Sequence, residues 1–299
     1  MKTLTFCILL AALPLCAQKR QGGGENPPFQ LPGTVAMKTN LVYAKYGARE
    51  MRLDLYYPKA GAGPFPAVVW VHGGGWVNGD KTRFRRQATL MAAHGFVGAC
   101  IEYRLSGEAK FPAAIEDVKA SVRWVRAHAA EYHINPDRIG AAGGSAGGHL
   151  VCLLGVTAGV REFEGDGGNP DQSSKVEAVA ALYPVTDFVA AGLRNSTGAT
   201  GPVFAFLGAT YAQNSEIYVK ASPITYVSKG DPPFLFMHGD DDRLVPYQQS
   251  VSMYEKLKAD GVPAELDIVK GAGHGFANGP KYFQESLDRM EAFFARTLK

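Results

Sequence analysis

Residues 138–154 read RIGAAGGSAGGHLVCLL, and this stretch decides the fold. Residues 139–142 are apolar and predict a buried strand, while the residues after the turn GGSAG predict a helix that begins at once. A serine at the tip of so sharp a turn has a strained backbone, and the residues two positions away on either side must lack side chains. Gly143 and Gly147 meet this requirement around Ser145. The pattern predicts an exposed serine hydroxyl between strand and helix; the alternative is a glycine-rich turn with an incidental serine.

The composition is that of an ordinary globular chain. Of the 299 residues, 46% are hydrophobic and 20% are charged, which is enough apolar material for a sizeable core. The net charge of +3 is too small to predict a nucleic-acid or membrane-surface partner. The sequence has no His-Glu-x-x-His, no paired cysteine motif and no phosphate-binding loop, so we expect neither a metal nor a cofactor. Nothing in it indicates an oligomeric state.

The first 17 residues have the pattern of an export signal. Lys2 supplies a positive charge, residues 4–15 supply a short apolar core, and Ala17 offers a small residue for cleavage. We therefore expect residues 1–17 to be a signal peptide and the protein to be periplasmic or secreted. A buried N-terminal helix is the alternative.

Residues 18–33 are polar and rich in glycine and proline, as in a linker. We expect them to tether a single catalytic domain, residues 34–299, in which no internal repeat and no second domain is visible. A lipid anchor on Cys16 is a variant of the export hypothesis. It ranks second because Leu15 precedes the cysteine, where a lipoprotein signal usually has a small residue.

Apolar runs predict about eight strands. Residues 41–57 alternate polar and apolar side chains on either side of Gly47, which predicts an antiparallel hairpin. Further strands are predicted at residues 67–71, 96–103, 139–142, 178–182, 234–237 and 264–269. Helices are predicted at residues 112–130 and 282–297 and from about residue 246. Strands that alternate with helices predict an α/β fold, a mostly parallel sheet with helices on both faces.

The strand at residues 67–71 ends in residues 72–76, HGGGW. Three consecutive glycines leave backbone N–H groups free to point into a cavity, although a flexible turn is the alternative. The N–H group of Ala146 has a similar freedom, because it lies in the first turn of a helix, where backbone donors have no partner within the helix.

A long connection, residues 189–230, has no clear period and could shape a substrate pocket. The aromatic residues of this connection, and the tryptophan of the glycine-rich loop, could equally belong to the core. The candidate substrate-binding residues are Trp76, Phe204, Phe206 and Tyr211.

A serine hydroxyl becomes an effective nucleophile when a base takes its proton and an acid fixes the tautomer of that base. After Ser145 the chain must therefore supply an acid and a histidine at strand ends. His274 lies in a loop directly after a predicted strand and is the candidate base. His238 is better explained as a structural hydrogen-bonding residue, and His149 as a packed helix residue. 

Three adjacent carboxylates follow the predicted strand at residues 234–237. They are Asp240, Asp241 and Asp242, and any of them could hold the imidazole of His274. Spacing alone does not decide between the three.

Together, these motifs give the chain a specific family resemblance. It resembles an α/β-hydrolase esterase over residues 41–297, and within that superfamily it is similar to the bacterial esterase/lipase branch with feruloyl-esterase-like and acetyl-xylan-esterase-like proteins. Hormone-sensitive-lipase relatives are more distant. The motifs are HGGGW at 72–76, EYRL at 102–105, FPAA at 111–114, GGSAGG at 143–148, ASP at 221–223, HGDDDRLVP at 238–246 and GHGF at 273–276.

The resemblance implies a set of roles at matching positions. In the family's His-Gly-x-x-Asp-x-x-Val-Pro pattern the catalytic acid falls on Asp242, and the oxyanion donors are the backbone N–H groups of Gly74, Gly75 and Ala146. One departure is that hormone-sensitive-lipase relatives usually carry Asp before the serine, where this chain has Gly144. They also carry an N-terminal helical cap, which is replaced here by a linker and a hairpin. An open, shallow site is therefore expected.

The expected function is a serine carboxylic-ester hydrolase acting on short-chain or aromatic acyl esters, with acetyl or feruloyl esters of plant polysaccharide among the candidates. Ser145 is the expected nucleophile, His274 the base and Asp242 the acid. A prolyl-oligopeptidase-like peptidase is one alternative, although such enzymes usually carry a large additional domain. A non-catalytic binding module on the same fold is another, although such modules tend to lose the serine or the histidine.

Overall fold

The computed structural model describes residues 29–190 and 201–299, and in this part eight strands form one sheet. The expected signal peptide and most of the expected linker lie outside the described residues. The strands are β1 (Val35–Tyr46), β2 (Arg49–Pro58), β3 (Phe65–Val71), β4 (Val97–Ile101), β5 (Ile134–Gly144), β6 (Ala178–Leu182), β7 (Phe234–Gly239) and β8 (Ala264–Val269). Their order in the sheet is β1-β2-β4-β3-β5-β6-β7-β8.

The sheet is mostly parallel, with an antiparallel N-terminal hairpin. β1 pairs with β2, and β2 pairs with β4, in antiparallel fashion. Every further pair, from β4–β3 to β7–β8, is parallel. The antiparallel pair β1–β2 confirms the predicted hairpin. Helices cover both faces of the mostly parallel sheet, which confirms the predicted α/β fold class.

Seven helices are assigned within the described residues. They are α1 (Arg85–Ala93), α2 (Ala113–Ala127), α3 (Ala146–Val156), α4 (Pro202–Leu207), α5 (Ser215–Ala221), α6 (Gln248–Ala259) and α7 (Phe283–Leu298). The sequence did not predict α1, nor α4 and α5, which lie in the connection without clear period. The last two span six and seven residues, too few for a helical period to show.

The core has two halves, one on each face of the sheet, and β3 shows why. Its side chains alternate, so Val69 and Val71 pack into one half while Val68 and Trp70 pack into the other. Helices α2, α3 and α6 contribute to the first half, and α1 and α7 contribute to the second. A strand covered on both faces is apolar throughout, which is the pattern that the sequence shows at residues 67–71.

The fold brings distant loops together at one edge of the sheet. Because β3, β5, β7 and β8 are parallel, their carboxyl ends meet at that edge, and the loops that follow them carry the candidate site residues. In the part of the chain that the structure describes, no helix has the length and apolarity needed to cross a bilayer.

Candidate active site

Ser145 lies at the tip of the turn between β5 and α3 in a conformation that few non-glycine residues adopt, with φ 57° and ψ −121°. A Cβ atom on Gly143 would lie 2.5 Å from the carbonyl oxygen of Gly147. A Cβ atom on Gly147 would collide with the carbonyl oxygen of Val71 in β3. Side chains at both positions are thus excluded by backbone, and the predicted need for glycine on either side of the serine is confirmed.

The imidazole of His274 lies between the hydroxyl of Ser145 and the carboxylate of Asp242. Nε2 is 2.8 Å from Ser145 Oγ, and Nδ1 is 2.7 Å from Asp242 Oδ2. Because a carboxylate only accepts, Nδ1 carries the proton, and Nε2 is left to accept the hydrogen bond from the serine hydroxyl. The three residues come from the loops after β5, β7 and β8, and the structure brings them together as the sequence predicted.

The carboxylate of Asp242 is held by donors on both oxygens. The N–H groups of Leu244 and Val245 each donate to Oδ1 over 2.9 Å. His238 Nε2 lies 3.2 Å from Oδ2, next to His274. Burial by itself would raise the pKa of Asp242, but the hydrogen bonds from His238, His274 and the Val245 N–H outweigh it and hold this pKa well below its usual range. Asp242 is therefore an anion whenever the protein is folded near neutral pH.

The other two aspartates have different surroundings. Asp240 Oδ1 accepts a hydrogen bond of 2.6 Å from the backbone N–H of Gly271, which ties the loop after β7 to the loop after β8. Asp241 is exposed and pairs with Arg243 at the surface. Neither contacts His274, so geometry decides between the three carboxylates where spacing did not.

His238 is a buried neighbour that supports the carboxylate of Asp242. Its Nε2 lies within 3.0 Å of the Val245 carbonyl, and its Nδ1 lies 2.8 Å from the hydroxyl of Ser250 in α6. The carbonyl and the carboxylate of Asp242 both accept, so Nε2 carries the proton and Nδ1 accepts from Ser250. The sequence predicted a structural hydrogen-bonding role for His238 but not its contact with the acid.

The glycine-rich loop lies against the serine turn. A Cβ atom on Gly73 would be 3.3 Å from Ser145 Cβ, so the loop passes within contact distance of Ser145. Gly74 has φ +119° and Gly75 has φ +60°, values that favour glycine. Among the described residues, the N–H groups of Gly74 and Gly75 donate to no other backbone or side-chain group. Ala146 is the first residue of α3, where a helix offers its N–H group no partner.

Neighbouring residues fix the position of this loop. Tyr103, directly after the strand β4, stacks on the ring of His72 and donates to the His72 carbonyl over 3.1 Å. Ser106 donates twice to the carbonyl of Trp76, from its N–H over 2.8 Å and from its hydroxyl over 3.0 Å. The indole N–H of Trp76 in turn donates to His149 Nδ1 over 3.2 Å. The free N–H groups are thus held in place from both ends of the loop.

The segment that carries Tyr103 and Ser106 is itself anchored by an ion pair. Arg104 Nε lies 3.0 Å from both oxygens of Asp117, a fully buried carboxylate of α2. The backbone N–H of Arg104 donates to the same carboxylate over 2.7 Å. The ion pair therefore ties the segment after β4 to α2.

Sequence comparison links this geometry to known esterases. The profile of the BD-FAE family matches residues 53–257. The chain belongs to the BD-FAE family. The matched segment contains Ser145 and Asp242, and His274 follows it.

Relatives of this BD-FAE chain carry esterase names. Esterase LipC of Mycobacterium tuberculosis is 33% identical over 254 residues, covering 78% of this chain and 61% of LipC. A structure described as a truncated form of carbohydrate esterase from gut microbiota is 31% identical with a TM-score of 0.75, covering 88% of this chain and 96% of that one. A bifunctional GH43-CE protein of Bacteroides eggerthii is 32% identical with a TM-score of 0.80, covering 88% of this chain and 38% of that one.

The sheet and these neighbours identify the fold of the BD-FAE chain as that of an α/β-hydrolase esterase. The chain spans about three fifths of LipC, so LipC has a substantial part that this comparison does not cover.

Tyr183 is a site residue of the BD-FAE chain that sequence reasoning missed. It directly follows β6, and its ring lies edge-on to that of His274, with centroids 4.9 Å apart. Asn278 Nδ2 donates to its hydroxyl over 3.1 Å. A Cβ atom at Gly144 would lie 2.8 Å from that hydroxyl oxygen. Tyr183 therefore accounts for glycine before the serine, where hormone-sensitive-lipase relatives usually have Asp. The sequence signal that could have identified Tyr183 is its position at the carboxyl end of a predicted strand.

The four candidate substrate residues of the BD-FAE chain have unequal surroundings. Trp76 and Phe206 are buried and stacked on each other, with ring centroids 4.6 Å apart. Phe204 and Tyr211 are half-buried. The structure thus places two of the four within an aromatic part of the core, and substrate contact stays a prediction for all four.

Proposed function

We propose that this chain is a serine carboxylic-ester hydrolase that works through an acyl-enzyme intermediate. The observation that carries the proposal is the hydrogen-bonded series Ser145–His274–Asp242, with distances of 2.8 and 2.7 Å. It is supported by membership of the BD-FAE family and by relatives named as esterases.

In the first half of the proposed reaction, Ser145 Oγ attacks the carbonyl carbon of the ester while its proton passes to His274 Nε2. The new Oγ–C bond leaves the former carbonyl oxygen negatively charged. His274 then gives the proton to the alcohol oxygen, the C–O bond to the alcohol breaks, and the acyl group remains on Ser145. Water repeats the sequence with the acyl-enzyme and restores the free hydroxyl.

Asp242 makes the proton transfers favourable in this mechanism. Its hydrogen bond fixes His274 with the proton on Nδ1, so that Nε2 is available as the base. When His274 becomes a cation, the adjacent carboxylate stabilises the charge. The donors from residues 244 and 245 keep the acid ionised and oriented throughout.

The N–H groups of Gly74, Gly75 and Ala146 are the proposed donors to the oxyanion. Support comes from the contact between this loop and the serine turn, and from the absence of other acceptors for Gly74 and Gly75 within the described residues. Donors that are already oriented stabilise the developing charge without reorganisation, and loss of one typically costs about 100- to 1000-fold in rate.

For the substrate, we propose short-chain or aromatic acyl esters, with acetyl and feruloyl groups on plant polysaccharide as candidates. Support comes from the neighbouring structures described as a carbohydrate esterase and as a GH43-CE protein.

Export remains part of the proposal. Cleavage after Ala17 would remove the apolar N-terminal segment and release a periplasmic or secreted enzyme. N-terminal sequencing of the protein recovered from its native cells tests this directly, because an N-terminus at Gln18 is expected and an intact Met1 contradicts it. Lipid attached to Cys16 would show the anchored variant instead.

The activity is tested with a panel of esters of increasing acyl length, together with acetylated xylan and methyl ferulate. We expect hydrolysis of 4-nitrophenyl acetate that falls by several orders of magnitude in Ser145→Ala. Full activity in that variant would overturn the proposal. Turnover of dipeptide amides at the rate of esters would indicate the peptidase alternative.

A further inference from the structure

A pocket of about 720 Å³ lies beside the proposed active site, between α1 and the loop that contains His274. Gly275, Asn278 and Gly279 form one wall, directly after the histidine in the chain. The opposite wall comes from the short 3₁₀ segment Lys81–Phe84 and from α1. The mechanism described above uses no residue of this pocket.

Three arginines give the pocket its charge. Arg83, Arg85 and Arg86 all line it, and no acidic residue does. Within the described residues none of the three forms an ion pair or a side-chain hydrogen bond, in contrast to arginines elsewhere such as Arg104 and Arg289. Three uncompensated guanidinium groups facing one cavity make a site that attracts an anion.

Aromatic rings orient two of these arginines. The guanidinium carbon of Arg86 lies 3.9 Å from the ring centroid of Phe283, and that of Arg85 lies 4.8 Å from the ring centroid of Phe29. Such contacts hold the planar group without using its N–H donors. The donors therefore remain available for a planar, two-oxygen partner such as a carboxylate.

A buried hydroxyl in the same wall lacks a partner. Thr89 lines the pocket and is 2% exposed, and its Oγ1 has no hydrogen-bond partner among the described residues. A buried polar atom without a partner costs about 1–3 kcal/mol, so such atoms are uncommon unless a ligand or water satisfies them. Thr89 thus leaves an unsatisfied hydrogen-bonding group in the wall of the pocket.

Hydrogen bonds connect the pocket wall to the proposed base. Gln87 Nε2 donates to Asn278 Oδ1 over 2.9 Å, and Asn278 donates to the Tyr183 hydroxyl over 3.1 Å. The ring of Tyr183 packs on His274. In the proposed mechanism His274 Nε2 passes its proton to the alcohol oxygen of the ester. The alcohol part must therefore lie beside the His274 loop, and Gly275, Asn278 and Gly279 of that loop line the pocket.

We infer that this pocket binds a carboxylate on the alcohol part of the ester, as in a uronic acid residue of an acidic polysaccharide. The inference rests on the proposed esterase function and narrows its substrate class. Arg83, Arg85 and Arg86 supply the charge complement. The substrate is an anionic sugar carrying an acyl group, and the pocket contributes to binding of that sugar more than to the chemical step.

The test compares two acetate esters that differ in one carboxylate. Methyl glucoside and methyl glucuronoside, acetylated at the same hydroxyl, are assayed by acetate release. We expect a kcat/KM ratio of about 10 or more in favour of the glucuronoside, mainly through KM, as for a charge-assisted hydrogen bond. Because exposed charges are screened, the ratio should fall as salt is raised.

Charge-neutralising variants locate the effect. In Arg86→Gln and in the double variant Arg83→Gln/Arg86→Gln, the ratio is expected to fall towards 1. Arg138→Gln is the matched control, because Arg138 is an exposed arginine in β5 remote from the strand's carboxyl end, and it should keep the wild-type ratio within twofold. A ratio near 1 in the wild type, or an equal ratio in the variants and the control, overturns the inference.

A second pair of esters distinguishes the two sides of the substrate. 4-Nitrophenyl hemisuccinate carries its carboxylate on the acyl part, and 4-nitrophenyl butyrate is its neutral counterpart. A preference for hemisuccinate that depends on Arg83 and Arg86 would place the anion on the acyl side and contradict the inference. Failure of the wild type to hydrolyse any of these esters, neutral or anionic, would instead overturn the proposed function, so the two failures are distinguishable.

Discussion

The phenol of Tyr183 lies edge-on to the imidazole of His274, with ring centroids 4.9 Å apart, and it occupies the space that a side chain at position 144 would need. The ring is buried, and burial raises the pKa of its hydroxyl, which therefore stays protonated. Through Tyr183, the residue before Ser145 is therefore connected to the position of the His274 ring.

Replacing Gly144 with alanine tests this relationship. The new Cβ atom would lie 2.8–3.1 Å from the hydroxyl and ring of Tyr183, so the ring must shift from its position against His274. Overpacking of this kind costs about 1–3 kcal/mol in stability, and we expect kcat to fall more than KM rises. Steady-state kinetics and thermal unfolding measure the two effects. Gly107→Ala is the control, since a Cβ atom there meets nothing within 4 Å; equal behaviour of the two variants would contradict the account.

Substituting the three adjacent aspartates one at a time separates their roles. Asp242→Asn loses the charge that fixes His274, and by comparison with other triads kcat should fall by about 10⁴-fold. Asp241→Asn alters an exposed surface pair, and Asp240→Asn keeps an oxygen that can accept from Gly271, so both should stay within a few fold of wild type. A loss in Asp241→Asn as large as that in Asp242→Asn would contradict the assignment.

Protonation of His149 should destabilise the protein in acid. The residue is fully buried; its Nδ1 accepts from the Trp76 indole and its Nε2 donates to the Ala221 carbonyl. Burial lowers the pKa of His149 from 6.5 to about 4, although the bond to Ala221 opposes this. The unfolded chain therefore binds the proton first. Stability is full above about pH 6.5 and decreases by about 3 kcal/mol as the pH falls to 4.

Urea unfolding between pH 7 and pH 4 measures this contribution. His149→Gln keeps one donor and one acceptor but cannot titrate, so its stability should depend less steeply on pH than that of the wild type. His133→Gln replaces an exposed histidine and is the control for the substitution itself. If His149→Gln and the wild type have the same slope, the assigned pKa of His149 is wrong.

Truncation of Phe206 tests whether this residue belongs to the core or binds substrate. Phe206 is 1% exposed and stacks on Trp76, so Phe206→Ala should cost about 3–5 kcal/mol in unfolding free energy. Phe204 is half-buried in the same helix, and Phe204→Ala should cost clearly less. Chemical denaturation gives both values. An unchanged stability with a large rise in KM for Phe206→Ala would instead make it a substrate-binding residue.

The serine turn could be predicted because its determinants are local. Gly143 and Gly147 are required by the backbone next to Ser145, and the strand and helix on either side are visible as apolar runs. The sheet was equally accessible, because a strand buried on both faces is apolar throughout, as at residues 67–71.

Contacts between distant segments could not be predicted in the same way. Spacing along the chain does not decide between three consecutive aspartates, and only the path of the loop after β7 turns Asp242 towards His274. The link from Gln87 through Asn278 to Tyr183 joins three segments that are far apart in the chain. Such contacts depend on how α1, β6 and the last loop pack, which no local pattern records.

The most direct test of the central claim is the site of covalent labelling by an organophosphonate that reacts with activated serines. Intact-mass spectrometry followed by peptide mapping measures it. We predict one adduct per chain, located on Ser145, with loss of esterase activity in proportion to labelling. We also predict no adduct in Ser145→Ala and greatly slowed labelling in His274→Ala. An unlabelled wild-type protein, or an inactivating adduct on any other residue, would contradict the account.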